Sequence, residues 1–303
     1  MDSLRGYLRL IFLFSIALVA ACILSAGCAS KKESSTKLKV VATIPVLADW
    51  VREVGGSRVK VTTLLSPGAS PHTFEPLPSQ ARDVSEADFV CSIGLDIDRW
   101  LAPMLSANSR TLICSKLEGI TLIDETEHEQ DTHSREANPH IWLDPQIAKL
   151  VVRAIFDSLS LLDPEGKSTY TSNALRYIER LDSLDKEILK TTSGFSKKEY
   201  VAFHPAWAYF DQRYGLQEIA VIMPSAGKEP SPRHLTDVVK AIKKSDVSAV
   251  FVEPQFSPKA AEVIAIEAGA RVVTLDPLGA DNESYIELME KNLEVMASVM
   301  GAK

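Results

Sequence analysis

The sequence predicts an α/β protein made of two parallel-sheet βα lobes joined by one long backbone helix, with a cleft between the lobes. Three observations predict it. From residue 38 short β-branched apolar runs alternate with amphipathic stretches, the same alternation resumes near residue 199, and the segment between them has helical periodicity. The expected boundaries are 38–162 for the N-terminal lobe, 163–193 for the linking helix and 194–303 for the C-terminal lobe.

In the first lobe "LKVVATI" precedes "PVLADWVREVGG", "VKVTTLL" precedes "PSQARDVSEA", "DFVCSIG" precedes "DIDRWLAPMLSA", and "TLICSKL" leads into a loop. Each apolar run is strand-length and each partner stretch reads as an amphipathic helix, the pattern of βα units. The linking segment carries apolar residues at 170, 174, 175, 178, 181, 184, 188 and 189 and has no Gly or Pro after Gly166, so one uninterrupted helix is expected. In the second lobe "YVAFHP", "LQEIAVIM", "SAVFVEP" and "RVVTLDP" are the strands, each followed by a helix, the last over roughly 284–300.

Residues 1–27 read as a lipoprotein-type signal peptide: Arg5 and Arg9, the apolar run "LIFLFSIALVAACIL", then "SAGC", followed by a polar tether over 28–37. The run is short for a membrane span and ends in small residues, which favours processing over anchoring. Cys28 lies where apolarity stops and is the expected lipidation site, although Ser25 stands where such signals usually have Leu. Cys22, in "LVAAC", is the alternative. The protein is thus expected outside the cytoplasm, periplasmic or at the cell surface and lipid-anchored. The two remaining cysteines, Cys91 and Cys114, fall in apolar runs and read as buried thiols, since parallel neighbouring strands seldom offer disulfide geometry.

A net charge of -7 with no run of five basic residues leaves no footprint for nucleic acid, which needs clustered Lys and Arg. The polar residues at strand exits carry more information, because ligands of open α/β sheets bind beyond the carboxyl ends of strands. His72 lies in the Pro- and Gly-rich loop "SPGASPHTFEP", and His140 in "NPHIWLDP". His204 follows "YVAF", Glu253 follows "AVFV" and Asp276 follows "RVVTL", each with Pro next to stiffen the exit. Alone, each reads as a turn residue or helix cap. Taken together, two lobes facing each other would offer three imidazoles and one carboxylate across the cleft. That set suits a four-coordinate divalent metal, Zn(II) before Mn(II), which favours more oxygen ligands.

"SPGASPHTFEPLPSQ", "NPHIWLDP", "FHPAWAYFDQRYGL", "VFVEPQFSPKAAEVIA" and "TLDPLG" resemble, in order, the motifs of the zinc- and manganese-binding receptor proteins of bacterial ABC transporters, most like the zinc uptake receptors. The resemblance covers residues 38–300. It implies two α/β lobes bridged by a rigid helix, and His72, His140, His204 and Asp276 as metal ligands. Manganese-selective relatives often have Glu at the third position, so His204 points to zinc. It also implies a monomer that hands its metal to a membrane permease, with capture and delivery in place of catalysis.

Two further residues are candidates for support. Glu253 would serve as a reserve ligand, as an acceptor orienting a histidine, or as a salt-bridge or cap residue. Asp144 would orient His140 or cap the helix starting at Pro145. Trp142 and Trp207 read as packing beside two of the ligands. The stretch 124–137 holds six acidic residues with His128 and His133, and reads as a solvated acidic loop or a short metal-gathering insertion. A zinc hydrolase would need the same side chains plus an open coordination position and a base such as Glu75 or Glu253. An adhesin role would leave no short motif.

Overall fold

The strand-forming runs pair into two separate four-stranded sheets, both wholly parallel. The computed structural model describes residues 37–124, 137–225, 227–247, 249–281 and 283–301. The export segment with Cys22 and Cys28, and the part of the acidic stretch with His128 and His133, lie outside the described residues.

The first sheet contains β1 (Leu38–Ala42), β2 (Val59–Thr63), β3 (Phe89–Ser92) and β4 (Thr111–Ile113) in the order β2-β1-β3-β4. Helices α1 (Pro45–Gly55) and α2 (Pro78–Ser85) connect its strands. The stretch "DIDRWLAPM", expected as a helix, forms only a 3-10 segment, Arg99–Met104. Pro103 lies inside it and removes a backbone donor, which is enough to stop an α-helix of that length. Cys91 and Cys114 are buried free thiols with their sulfurs 3.9 Å apart.

Helix α3 (Pro145–Leu162) then runs into α4 (Lys167–Ser193), the expected linking helix. Its 27 residues give a rod of roughly 40 Å. Tyr170, Ala174, Tyr177, Leu181, Leu184, Ile188 and Thr192 form its buried stripe, spaced by three or four residues. The entry turn is held by Asp163, which accepts from Arg58 Nε (2.6 Å) and Nη2 (2.9 Å) and from the Tyr170 hydroxyl (2.6 Å). The guanidinium pulls the Asp163 carboxyl down to about 2.

The second sheet has β5 (Glu199–Ala202), β6 (Gln217–Val221), β7 (Ala249–Val252) and β8 (Arg271–Thr274) in the order β6-β5-β7-β8. Its helices are α5 (Ala208–Tyr214), α6 (Pro232–Ser245), α7 (Lys259–Ala268) and α8 (Tyr285–Met300). Helix α7 ends at Gly269 with φ +77°, a left-handed conformation that favours glycine.

Strand alternation distributes the core. Val40, Ala42, Ala202 and Phe251 face one apolar core that also takes in α1, α3, α4 and α8. Their neighbours Val41 and Val90 face an outer cluster of the first lobe, while Val201 and Val250 face an outer cluster of the second. One core therefore runs continuously through both lobes and the linking helix. Hydrogen bonds reinforce it where the lobes meet. Buried Asp49 of α1 accepts from Tyr177 Oη of α4 (2.9 Å) and from the backbone N–H of Tyr285 (3.0 Å), where α8 begins. Trp142 Nε1 donates to Pro277 O (2.6 Å), and the Tyr285 hydroxyl donates to Trp142 O (2.7 Å). No helix among the described residues is long and apolar enough to cross a membrane.

Candidate metal centre

Strand order decides which exits become neighbours. In the second sheet β5 is flanked by β7, and β7 by β8, so His204, Glu253 and Asp276 leave three adjacent strands in that order. His72 lies on the loop that follows β2. His140 comes from the turn before α3.

The structure brings His72, His140 and His204 together, with ligand atoms all within 4.8 Å of one another. The Nε2 atoms of His72 and His140 are 3.2 Å apart, and those of His204 and His72 are 3.3 Å apart. A tetrahedral zinc with Zn–N bonds near 2.05 Å separates its ligand nitrogens by ~3.3 Å. His72 therefore already stands at the edge length of such a polyhedron from both of its partners. The cavity that the three imidazoles line, with Ser70, Trp142, Gln255 and Phe256, has a volume of about 10 Å³, space for one small ion or water.

Two of the three rings are oriented from behind. His140 is 2% exposed, and its Nδ1–H donates to Asn138 Oδ1 (2.9 Å), which also accepts the His140 backbone N–H (3.0 Å). Asn138 is itself buried, and its Nδ2 donates to Pro205 O (2.7 Å), next to His204 in the other lobe. The His204 Nδ1–H donates to Glu253 Oε1 at 2.6 Å, with both residues buried. Occupation of Nδ1 leaves the Nε2 lone pair of each ring for the cavity. Trp142 packs on His140 with centroids 5.2 Å apart, as expected of it, while buried Trp207 packs edge-on against Phe210.

His72 differs in being partly exposed. Its loop is fastened by Trp100, whose Nε1 donates to Pro71 O (3.1 Å) and whose ring packs against Phe74 (4.8 Å). Burial lowers the His72 pKa to about 3, with the neighbouring His204 as a secondary cause, and burial pushes His140 well below the ordinary histidine value. Both rings are therefore neutral at physiological pH, the protonation state in which imidazole ligates.

Asp276 stands outside the three-imidazole group. Its Oδ1 accepts from Gln255 Nε2 (3.0 Å) and from the backbone N–H groups of Leu278 (3.0 Å) and Gly279 (3.1 Å). Its neighbours Pro277 and Leu278 nevertheless line the cavity. Asp144 is placed as a helix cap: Oδ1 accepts the Gln146 N–H (2.7 Å) and lies 3.4 Å from Arg213, while the Nδ1 position of His140 is taken by Asn138. Glu75 is exposed and does not line the cavity.

Sequence reasoning missed Asn138 and Gln255. Both lie two residues from an identified candidate, within "NPH" and "EPQ". The available signal was an Asn two residues before a candidate ligand, since Asn readily folds its side chain back onto the local backbone.

A profile of the family described as "Zinc-uptake complex component A periplasmic" (ZnuA) matches residues 40–299. Among curated proteins the chain is 29% identical to the zinc-binding lipoprotein AdcA of Streptococcus pneumoniae (strain R6) over 299 residues, covering 93% of this chain and 60% of that protein. It is also 29% identical to the high-affinity zinc uptake system protein ZnuA of Bacillus subtilis, covering 92% of both. The chain thus spans less than two thirds of the AdcA relatives it matches and nearly all of the Bacillus protein. Among solved structures, a zinc-bound ZnuA deletion mutant superposes with a TM-score of 0.79 at 30% identity, over 88% of this chain and all of that one. The periplasmic zinc-binding protein TroA of Treponema pallidum has the same fold, with a TM-score of 0.77 at 20% identity. By the extent of the profile match and the shared two-lobed fold, the chain belongs to the zinc-uptake component A (ZnuA) family of solute-binding receptors.

Proposed function

We propose that the protein is an extracytoplasmic receptor that captures Zn(II) between its lobes and delivers it to the permease of an ABC transporter. His72, His140 and His204 are the nitrogen ligands and Asp276 supplies the fourth, an oxygen. In this reading the receptor is held at the membrane by lipidation of Cys28, or of Cys22, and works as a monomer.

The observation that carries the reading is the convergence of three imidazoles, with Nε2 atoms 3.2 Å apart for His72 and His140 and 3.3 Å apart for His72 and His204, which suits a tetrahedral ion of zinc's bond length. The names of the relatives, zinc-binding lipoprotein and zinc uptake system protein, agree with it. One observation argues against hydrolysis: Glu253, the candidate base that lines the cavity, is committed to orienting His204, and with Asp276 as the fourth ligand of this reading no open position would remain for an activated water.

Calorimetric or competitive titration of the mature protein should give about one zinc bound with sub-micromolar affinity, and His72→Ala or His204→Ala should weaken it by at least about 100-fold. Unchanged affinity in those variants would remove the assignment. Manganese outcompeting zinc would transfer the site to the manganese receptors of the same fold.

A further inference from the structure

We propose that Gln255 is a positioning residue for the fourth ligand: it holds one oxygen of the Asp276 carboxylate so that the other alone meets the metal, which favours four-coordinate zinc over cations that demand more oxygen. The inference rests on the reading of Asp276 as a ligand, and the geometry around that residue carries it.

The Asp276 backbone is fixed from both sides by one buried side chain. Asn292 of α8, 4% exposed, donates Nδ2 to Asp276 O (2.7 Å) and accepts the Asp276 N–H at Oδ1 (2.9 Å). What freedom Asp276 has is therefore in its side chain. That side chain is held at Oδ1 by three donors, two of them the backbone N–H groups of Leu278 and Gly279, which the loop fixes. The third, Gln255 Nε2, is the only side-chain donor in the set. A carboxylate with three hydrogen bonds on Oδ1 must ligate through Oδ2. Chelation by both oxygens would require Oδ1 to leave its donors and turn toward the ion.

Gln255 also lines the cavity with the three imidazoles, and its own Oε1 is buried without a hydrogen-bond partner among the described residues. An unsatisfied buried amide oxygen does not help the fold. The amide is better explained as a donor kept beside the ligand carboxylate. One oxygen from Asp276 and three imidazole nitrogens complete a tetrahedron for zinc, whereas manganese favours a shell richer in oxygen.

The test uses the full mature protein with Zn(II), Mn(II) and, as a spectroscopic probe, Co(II). Gln255→Met keeps length and removes the donor, and Gln255→Asn withdraws the amide, serving as the second variant should the first fail to fold. The expected result is a fall of about tenfold in the zinc-to-manganese affinity ratio, with weaker visible Co(II) bands as the coordination number rises above four. Asp276→Ala separates the two claims. If it alters zinc affinity and the Co(II) spectrum while the Gln255 variants alter neither ratio nor spectrum, the role of Gln255 is overturned and the ligand reading stands. If Asp276→Ala itself leaves both unchanged, the ligand reading and the Gln255 inference fall together.

Discussion

His140 and His72 stand 3.2 Å apart at Nε2, yet they belong to different kinds of structure. His140 sits in a sealed wall: Asn138 fixes its ring, Trp142 covers it, and both of those residues reach across to the second lobe through Pro205 O and Pro277 O. His72 is carried by a loop whose main tie is the Trp100–Pro71 hydrogen bond, and the ring is partly exposed. No hydrogen bond to its Nδ1 is formed among the described residues. The difference teaches how the proposed site could hold a metal tightly and still release it. His140 and His204 are preorganised by the interlobe core, so in the proposed reading little ordering cost would fall on them at binding, whereas the loop histidine would be the one to yield first.

The largest expected contrast is in stability. Trp142→Ala should destabilise the metal-free protein by about 3–5 kcal/mol, because it opens a cavity in the shared core and leaves Pro277 O without its donor. Trp100→Ala, on the loop, should cost clearly less. Chemical denaturation of both variants tests this, and equal losses would erase the distinction between wall and loop. Next come the residues behind the rings. Glu253→Gln and Asn138→Ala should each lower zinc affinity about 10–100-fold. Trp100→Phe should change affinity by less than about tenfold and show itself in faster zinc dissociation, read by stopped-flow transfer to a chelator.

The smallest effect is the pH dependence of the metal-free protein. His140 and His72 have folded pKa values below the unfolded 6.5, so between those values the unfolded chain binds more protons than the folded one. Stability from these rings is fully present above about pH 6.5 and is lost as pH falls below it, by at most about 1.4 kcal/mol per ring per pH unit. Partly exposed His72 contributes less of it than buried His140. His140→Gln should flatten the acid limb of a thermal-denaturation profile more than His72→Gln does. The reverse order would place the buried ring on the wrong side of the comparison.

Much of this architecture could be read from the sequence, because βα alternation and the stripe of α4 are short-range patterns that burial enforces. The strand-exit rule likewise picked out His72, His204, Glu253 and Asp276 before any geometry was known. Less accessible was the choice of partners. Glu253 was open between three roles until the neighbouring exits of β5 and β7 put it 2.6 Å from His204. Asp144, four residues after His140, reads from the sequence as orienting it or capping a helix, whereas the turn brings Asn138, two residues before it, to Nδ1 and leaves Asp144 as the cap. The segment "DIDRWLAPM" has amphipathic spacing that predicts a helix, but the donor missing at Pro103 prevails in the chain.

The most direct test of the central claim is a crystal structure of the zinc-loaded protein with anomalous scattering recorded at the zinc edge. The expected result is one strong peak between His72, His140 and His204, about 2.0–2.1 Å from each Nε2, with one carboxylate oxygen from Asp276 completing the shell. A dominant peak elsewhere, in the acidic stretch 124–137 for example, with the three imidazoles left unligated, would contradict it.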